Sequence, residues 1–144
     1  MGYTLVPQKR YDYCACSVLQ AIIGTNGISI SQEEIARRLT PGEKGGFYFD
    51  DDSVRILMKE HGFYYRYFNH NETPFNEPDF LLSQMSDHHG LVAMRRHVRL
   101  LQSFDDPKLT MIDPDGGSLT IMDLREVRGS MASSGGGFGL AKKL

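Results

Sequence analysis

The sequence predicts an α+β domain, and three features of its 144 residues carry that prediction. Helical periodicity fills the first part of the chain, from residue 14 to residue 61. From residue 90 the texture turns to β-type segments separated by turn residues. Helices and strands that are segregated in this way, not alternating, argue for an antiparallel sheet over a wound parallel one. The composition is 40% hydrophobic and 24% charged, which is globular, and the length suits one domain with a real core.

The first helix begins at "CACSVLQAIIG". Two apolar stripes, Cys16/Leu19/Ile23 and Val18/Ala21/Ile22, run around it at helical spacing, so it is a central helix packed from several sides. Gly24 is its expected stop. Ser31 followed by Glu34 makes a capping box for "QEEIARRL", which Pro41-Gly42 ends. "EKGGFYF" reads as a loop. "DDDSVRILMKEHG" is a helix with acidic residues at its positive end and Lys59 and His61 near its negative end. "FYYRYF" at 63–68 has strand composition. "NHNETPFNEP" is a loop, and "DFLLSQMS" a short helix after Pro78.

Beyond residue 90, "GLVAMRRHVRLLQSF", "KLTMID" and "GSLTIM" are β-type, divided by "DDP" and "PDGG". "MDLREVRGSM" is a last helix. The expected domain is therefore residues 1–131. Residues 132–144, "ASSGGGFGLAKKL", read as a flexible Gly-rich tail.

Net charge is −2, so nothing global suggests a nucleic-acid partner or an anionic membrane. The basic cluster "RRHVR" at 95–99 reads as solvated or locally paired. No apolar run approaches the roughly 20 residues that span a bilayer, and the start of the chain lacks a signal-peptide core. Its Met-Gly opening has Val6 where a myristoylation site needs Ser or Thr. A cytoplasmic protein is expected, with secretion by a signal-free route left open.

Two cysteines make no disulfide framework, and a bridge between Cys14 and Cys16 would close a strained ring. Helical spacing of about 100° per residue points their side chains in nearly opposite directions, so they are poor partners for one metal ion. At the first turn of a buried helix, unpaired N–H groups and the positive dipole end favour thiolate. Cys14 stands at that junction. Cys16 lies on the Leu19/Ile23 stripe, where cysteine behaves as a small hydrophobe.

A nucleophilic thiol needs a base and a group that orients the base. Of the five histidines, at 61, 70, 88, 89 and 97, only His97 falls within an expected strand. His88 and His89 are adjacent loop histidines, weak as a metal pair. Asp113 closes the next strand. If a three-residue loop, Phe104-Asp105-Asp106, joined the two strands, His97 would stand directly opposite Asp113. A longer loop would need a bulge to bring the pair back. The Cys14 backbone N–H is one candidate oxyanion donor, and Gln8, six residues earlier, can swing a side-chain amide alongside it.

Gln8 ahead of Cys14 at an apolar helix, His97 in a strand, and Asp113 in "DPDGG" together resemble the papain-like cysteine peptidases. Within them, "VPQKRYDYCACSVLQAII" and "HVRLLQSFDDPKLTMIDPDGGSLTIMDLREV" are most similar to stand-alone C39-like peptidase domains. The resemblance covers residues 5–24 and 90–128 directly. It implies a papain-like fold with the nucleophile helix packed on a C-terminal antiparallel sheet. It also implies Cys14 as nucleophile, His97 as base and acid, Asp113 as orienting residue, and Gln8 with the Cys14 N–H as oxyanion hole. The implied activity is cysteine-dependent amide hydrolysis of a protein or peptide, without cofactor or metal. The sequence departs from the C39 pattern at Ala15, where glycine is usual, and at Val98, where an aromatic is usual. Alternatives carrying the same set are a papain-like effector deamidase or transglutaminase acting on protein glutamine, a Josephin-like deubiquitinase, and a non-catalytic binding domain.

Overall fold

The computed structural model describes residues 2–43, 45–72, 83 and 87–144. Three helices come first: α1 (Cys14–Gly24), α2 (Gln32–Arg38) and α3 (Asp52–Glu60). Strands β1 (Phe63–Asn69), β2 (His88–Met94), β3 (His97–Asp105), β4 (Lys108–Ile112) and β5 (Leu119–Asp123) follow, then α4 (Leu124–Ser134) and β6 (Gly136–Lys143). The expected helix "DFLLSQMS" and most of the loop before it lie outside the described residues. The caps form as the sequence dictates. The Ser31 side chain accepts the Glu34 N–H, Asp51 accepts from Ser53, and Asp123 accepts from Arg125.

All strand pairings are antiparallel, in the order β1-β6-β2-β3-β4-β5. Helix α1 packs on one face, where its buried Cys16, Leu19, Ile22 and Ile23 join Leu91, Ala93, Val98 and Leu100 of the sheet. Helix α4 closes the other face, burying Val127 and Met131 against Val92, Met94, Leu101, Leu109 and Met111. The expected α+β architecture is present, with a core on each side of one sheet.

The tail expected at 132–144 is not a tail. Ala132–Ser134 finish α4, and residues 136–143 form an interior strand paired with β1 on one side and β2 on the other. Phe138, Leu140 and Ala141 are at most 2% exposed. The glycines that suggest flexibility are there because neighbouring backbones come close. A Cβ on Gly137 would lie 2.0 Å from the Phe68 carbonyl oxygen, and one on Gly136 would lie 2.1 Å from that of Ala93.

The β3–β4 register also differs from the expected one. The hairpin closes at Asp105↔Lys108 on a two-residue turn, Asp106-Pro107, and a bulge falls between Leu101 and Ser103. Leu100 then pairs with Ile112, and continuing that register sets Asp113 opposite Arg99. His97 becomes its diagonal neighbour, a separation that long side chains can cross.

Candidate active site

Cys14 is the first residue of α1. The N-cap residue, Tyr13, makes no side-chain cap bond, and the first turn holds no acidic residue. The free N–H groups of the first turn are therefore left without a carboxylate partner from the helix itself. Both cysteines are free; Cys14 is half-buried and Cys16 fully buried. Burial first, then the neighbouring Cys14 and Asp12, push the Cys16 thiol up to about 12, so it stays protonated.

The segment leading into α1 is fastened at several points. Ser17 Oγ donates to the Val6 carbonyl at 2.6 Å. The buried Gln32 side chain accepts the Lys9 N–H at 2.9 Å and donates to the carbonyls of Val6 and Pro7, each at 3.1 Å. It also donates to Gln20 Oε1. Nothing in the sequence pattern marked Gln32 beyond its place at a helix start. Gln32→Ala takes away the side-chain partner of the Lys9 N–H and the Pro7 carbonyl and leaves the Val6 carbonyl only its Ser17 bond, and urea denaturation is expected to show a loss of about 2–4 kcal/mol.

Gln8 lies in this fastened segment. Its N–H donates to the Pro114 carbonyl at 2.8 Å, which links it to the loop carrying Asp113. Its side-chain Nε2 donates to the carbonyls of Arg10 and Tyr11, each at 3.0 Å. The amide is thus engaged with the chain, and Gln8 is not among the residues lining the groove described below.

His97 opens β3, directly after a two-residue turn in which Arg95 and Arg96 both have positive φ, 53° and 58°. That turn type normally takes Asn-Gly, so Arg-Arg carries no turn signal and 90–104 has the composition of continuous β. The Arg95 N–H donates to Ser134 Oγ at 3.0 Å and ties the turn to the end of α4.

His97 Nε2 and Asp113 Oδ1 are 2.6 Å apart. Cys14 acts on the ring from the other side and raises its pKa, and with Nε2 engaged by the carboxylate, Nδ1 is the atom left for the thiol. Cys14, and after it the hydrogen bond to Asp113, hold the imidazole above its ordinary pKa against the effect of burial. Burial alone would raise Asp113, but the His97 and Asp115 hydrogen bonds and the Arg99 charge outweigh it, and its carboxyl lies below the ordinary value.

Asp113 is itself anchored. Its Oδ1 accepts the Asp115 N–H at 2.9 Å, its carbonyl accepts the Gly117 N–H at 2.8 Å, and its own N–H donates to the Ser118 carbonyl at 2.8 Å. Gly116 and Gly117 have φ of 91° and 79°, which explains the paired glycines of "DPDGG".

Cys14 and His97 face a groove of about 560 Å³. Its walls are residues 42–43 and 45–50 with Phe47, Tyr48 and Phe49, Tyr67 of β1, Arg96 of the turn, and the junction Ser134–Gly136. The other histidines do different work. His61 bonds the Leu57 carbonyl, His70 the Gly136 carbonyl, and His88 pairs with Asp87. His89 is buried in β2 and takes the Tyr3 hydroxyl on Nδ1 at 2.5 Å, and burial lowers its pKa. No group of three or more His, Cys, Asp or Glu able to hold a metal occurs among the described residues.

No protein-family profile matches the chain, and no curated protein matches it. Solved structures do. The peptidase domain of Streptococcus ComA, a bi-functional ABC transporter involved in quorum sensing, superposes with a TM-score of 0.69 at 18% identity, covering 99% of this chain and 100% of that one. A double glycine motif protease from an AMS/PCAT transporter, in complex with the leader peptide, gives 0.72 at 14% identity over 99% and 93%. A C39-like peptidase from Bacillus anthracis gives 0.66 at 10% identity over 98% and 94%. The chain therefore has the papain-like α+β fold of C39 peptidase domains.

Proposed function

We propose that the chain is a cysteine peptidase that hydrolyses amide bonds in a protein or peptide through Cys14, His97 and Asp113. The observation that carries this reading is the convergence of the Cys14 thiol and the His97 imidazole on one groove at the mouth of α1, with the imidazole bonded to the Asp113 carboxylate. Thiol and imidazole come from elements 83 residues apart in sequence, and no packing need brings two such groups to a solvent-facing groove. A structural neighbour in complex with its leader peptide supports a peptide as substrate.

In the first step the Cys14 sulfur attacks the carbonyl carbon, and its proton passes to His97. The oxyanion is held by the Cys14 N–H, with Gln8 as second donor once its amide leaves one of its two carbonyl partners. The C–N bond then breaks, the amine departs with the proton from His97, and a thioester remains on Cys14. Water deprotonated by His97 attacks the thioester, and the acid product and free thiol are regenerated. Asp113 keeps Nδ1 aimed at sulfur and stabilises the imidazolium.

The test is selective alkylation. Iodoacetamide at neutral pH is expected to modify Cys14 at least tenfold faster than Cys16, since the buried thiol is neither exposed nor ionised. Peptide mapping by mass spectrometry reads the ratio. Equal labelling of the two thiols, or none at either, removes the basis of the proposal.

A further inference from the structure

Arg99 has no counterpart in the three-residue scheme just described, yet it stands against that scheme's carboxylate. Its Nε is 3.4 Å from Asp113 Oδ2, while Oδ1 is taken by His97. Strand alternation puts His97 and Arg99 on the same face of β3, and the register sets Asp113 opposite Arg99. The two side chains are largely covered, at 22% and 17% exposure. The Arg99 Nε is closed to water and has no hydrogen-bond partner among the described residues, which leaves Asp113 as the anion it faces.

We propose that Arg99 is a positioning residue that sets the proton affinity of His97 by offsetting the charge of Asp113. This rests on the peptidase reading, in which His97 must both take a proton and give it up. Asp113 does not need Arg99 to stay in place, because the Asp115 N–H and two backbone bonds hold it. What the guanidinium adds is charge. Beside the Cys14 thiol, imidazolium, carboxylate and guanidinium form a row of alternating charge, and the guanidinium weakens the pull of the carboxylate on the imidazolium. An uncompensated Asp113 would make His97 too basic to protonate the leaving amine promptly.

The other charged or titratable groups around His97 are Cys14 from α1, Arg96 from the preceding turn, and Tyr11, Asp12, Glu43, Tyr48, Asp50 and Tyr67 along the groove. None of these contacts Asp113 in the structure described, so their influence is common to wild type and variants.

The experiment is an NMR titration of the His97 ring, its signal assigned by its loss in His97→Ala. Arg99→Gln and Arg99→Met are expected to raise the midpoint by about half a unit to one unit, and Arg99→Lys to leave it within about 0.3. Two neutral replacements of different shape keep the test open if one of them fails to fold. An unchanged or lowered midpoint in either folded neutral variant overturns the proposal. Alkylation of wild-type Cys14 reads the peptidase proposal separately. Loss of Cys14 selectivity with a raised His97 midpoint would sink that reading and leave the Arg99 effect standing.

Discussion

Replacing His97 with alanine is expected to slow amide hydrolysis by about 10²–10⁴-fold, the range attached to removing a general acid–base group. New amino termini released from a peptide library measure the loss. Alkylation of Cys14 at pH 6 should fall with it by at least about tenfold, since a thiol without a neighbouring base is mostly protonated there. The fold should survive, because His97 is one-quarter exposed at the start of β3 and supports no core cluster. Unchanged hydrolysis in the folded variant would remove His97 from the mechanism.

The pH dependence follows from the two pKa directions. His97 is raised in the fold, so the stabilisation of its charged form is present below its unfolded value and lost as pH rises through the folded one. Asp113 is lowered, so its contribution is present above its unfolded value and lost as pH falls through the folded one. Imidazolium and carboxylate coexist between those limits. The wild-type contribution of the pair to stability is greatest there, and His97→Ala should cost most stability in that same window.

What the sequence made legible was local. The α1 stripes, the Ser31 N-cap and the difference in burial between Cys14 and Cys16 depend on neighbours within a turn or two and are in place, while the Glu34 carboxylate turns to Arg37 instead of completing a capping box. The His–Asp contact is permitted by hairpin arithmetic and is present, but by a different route. A two-residue turn and a bulge replace the three-residue loop, and the pair is diagonal instead of opposite. A bulge has no sequence signature at this resolution of reading, so register was the weak link. The same shift brings Arg99, not His97, opposite Asp113, and it resolves "RRHVR" into a turn, a ring and an ion pair. Gln8 was legible as a position but not as a conformation, since its amide partners are carbonyls two and three residues on. β6 is not legible as a strand because glycine is scarce in ordinary strands. Only a neighbour's backbone, invisible in sequence, explains why glycine is needed there.

A chain ending at Gly135 is expected to lose cooperative folding altogether, whereas removal of a true tail would leave the melting temperature unchanged. β6 is the strand on which β1 pairs, and it joins β1 to β2 and so to the rest of the sheet. Its removal exposes the pockets of Phe138 and Leu140, about 1.5–3 kcal/mol each by burial alone. It also unpairs the facing edges of β1 and β2, while a domain of this size holds only about 5–15 kcal/mol in total. Gly137→Ala is the graded version. Its methyl group meets the Phe68 carbonyl, so backbone must shift, and a loss of about 1–3 kcal/mol is expected. Far-UV circular dichroism on heating and urea titration measure the two. Loss of the strand should also silence Cys14, because Gly136 belongs to the groove wall and β6 is the partner of β2, whose end leads through the Arg95-Arg96 turn to His97. A truncated chain that melts like the full one and keeps its reactive thiol would show that the sheet closes without β6.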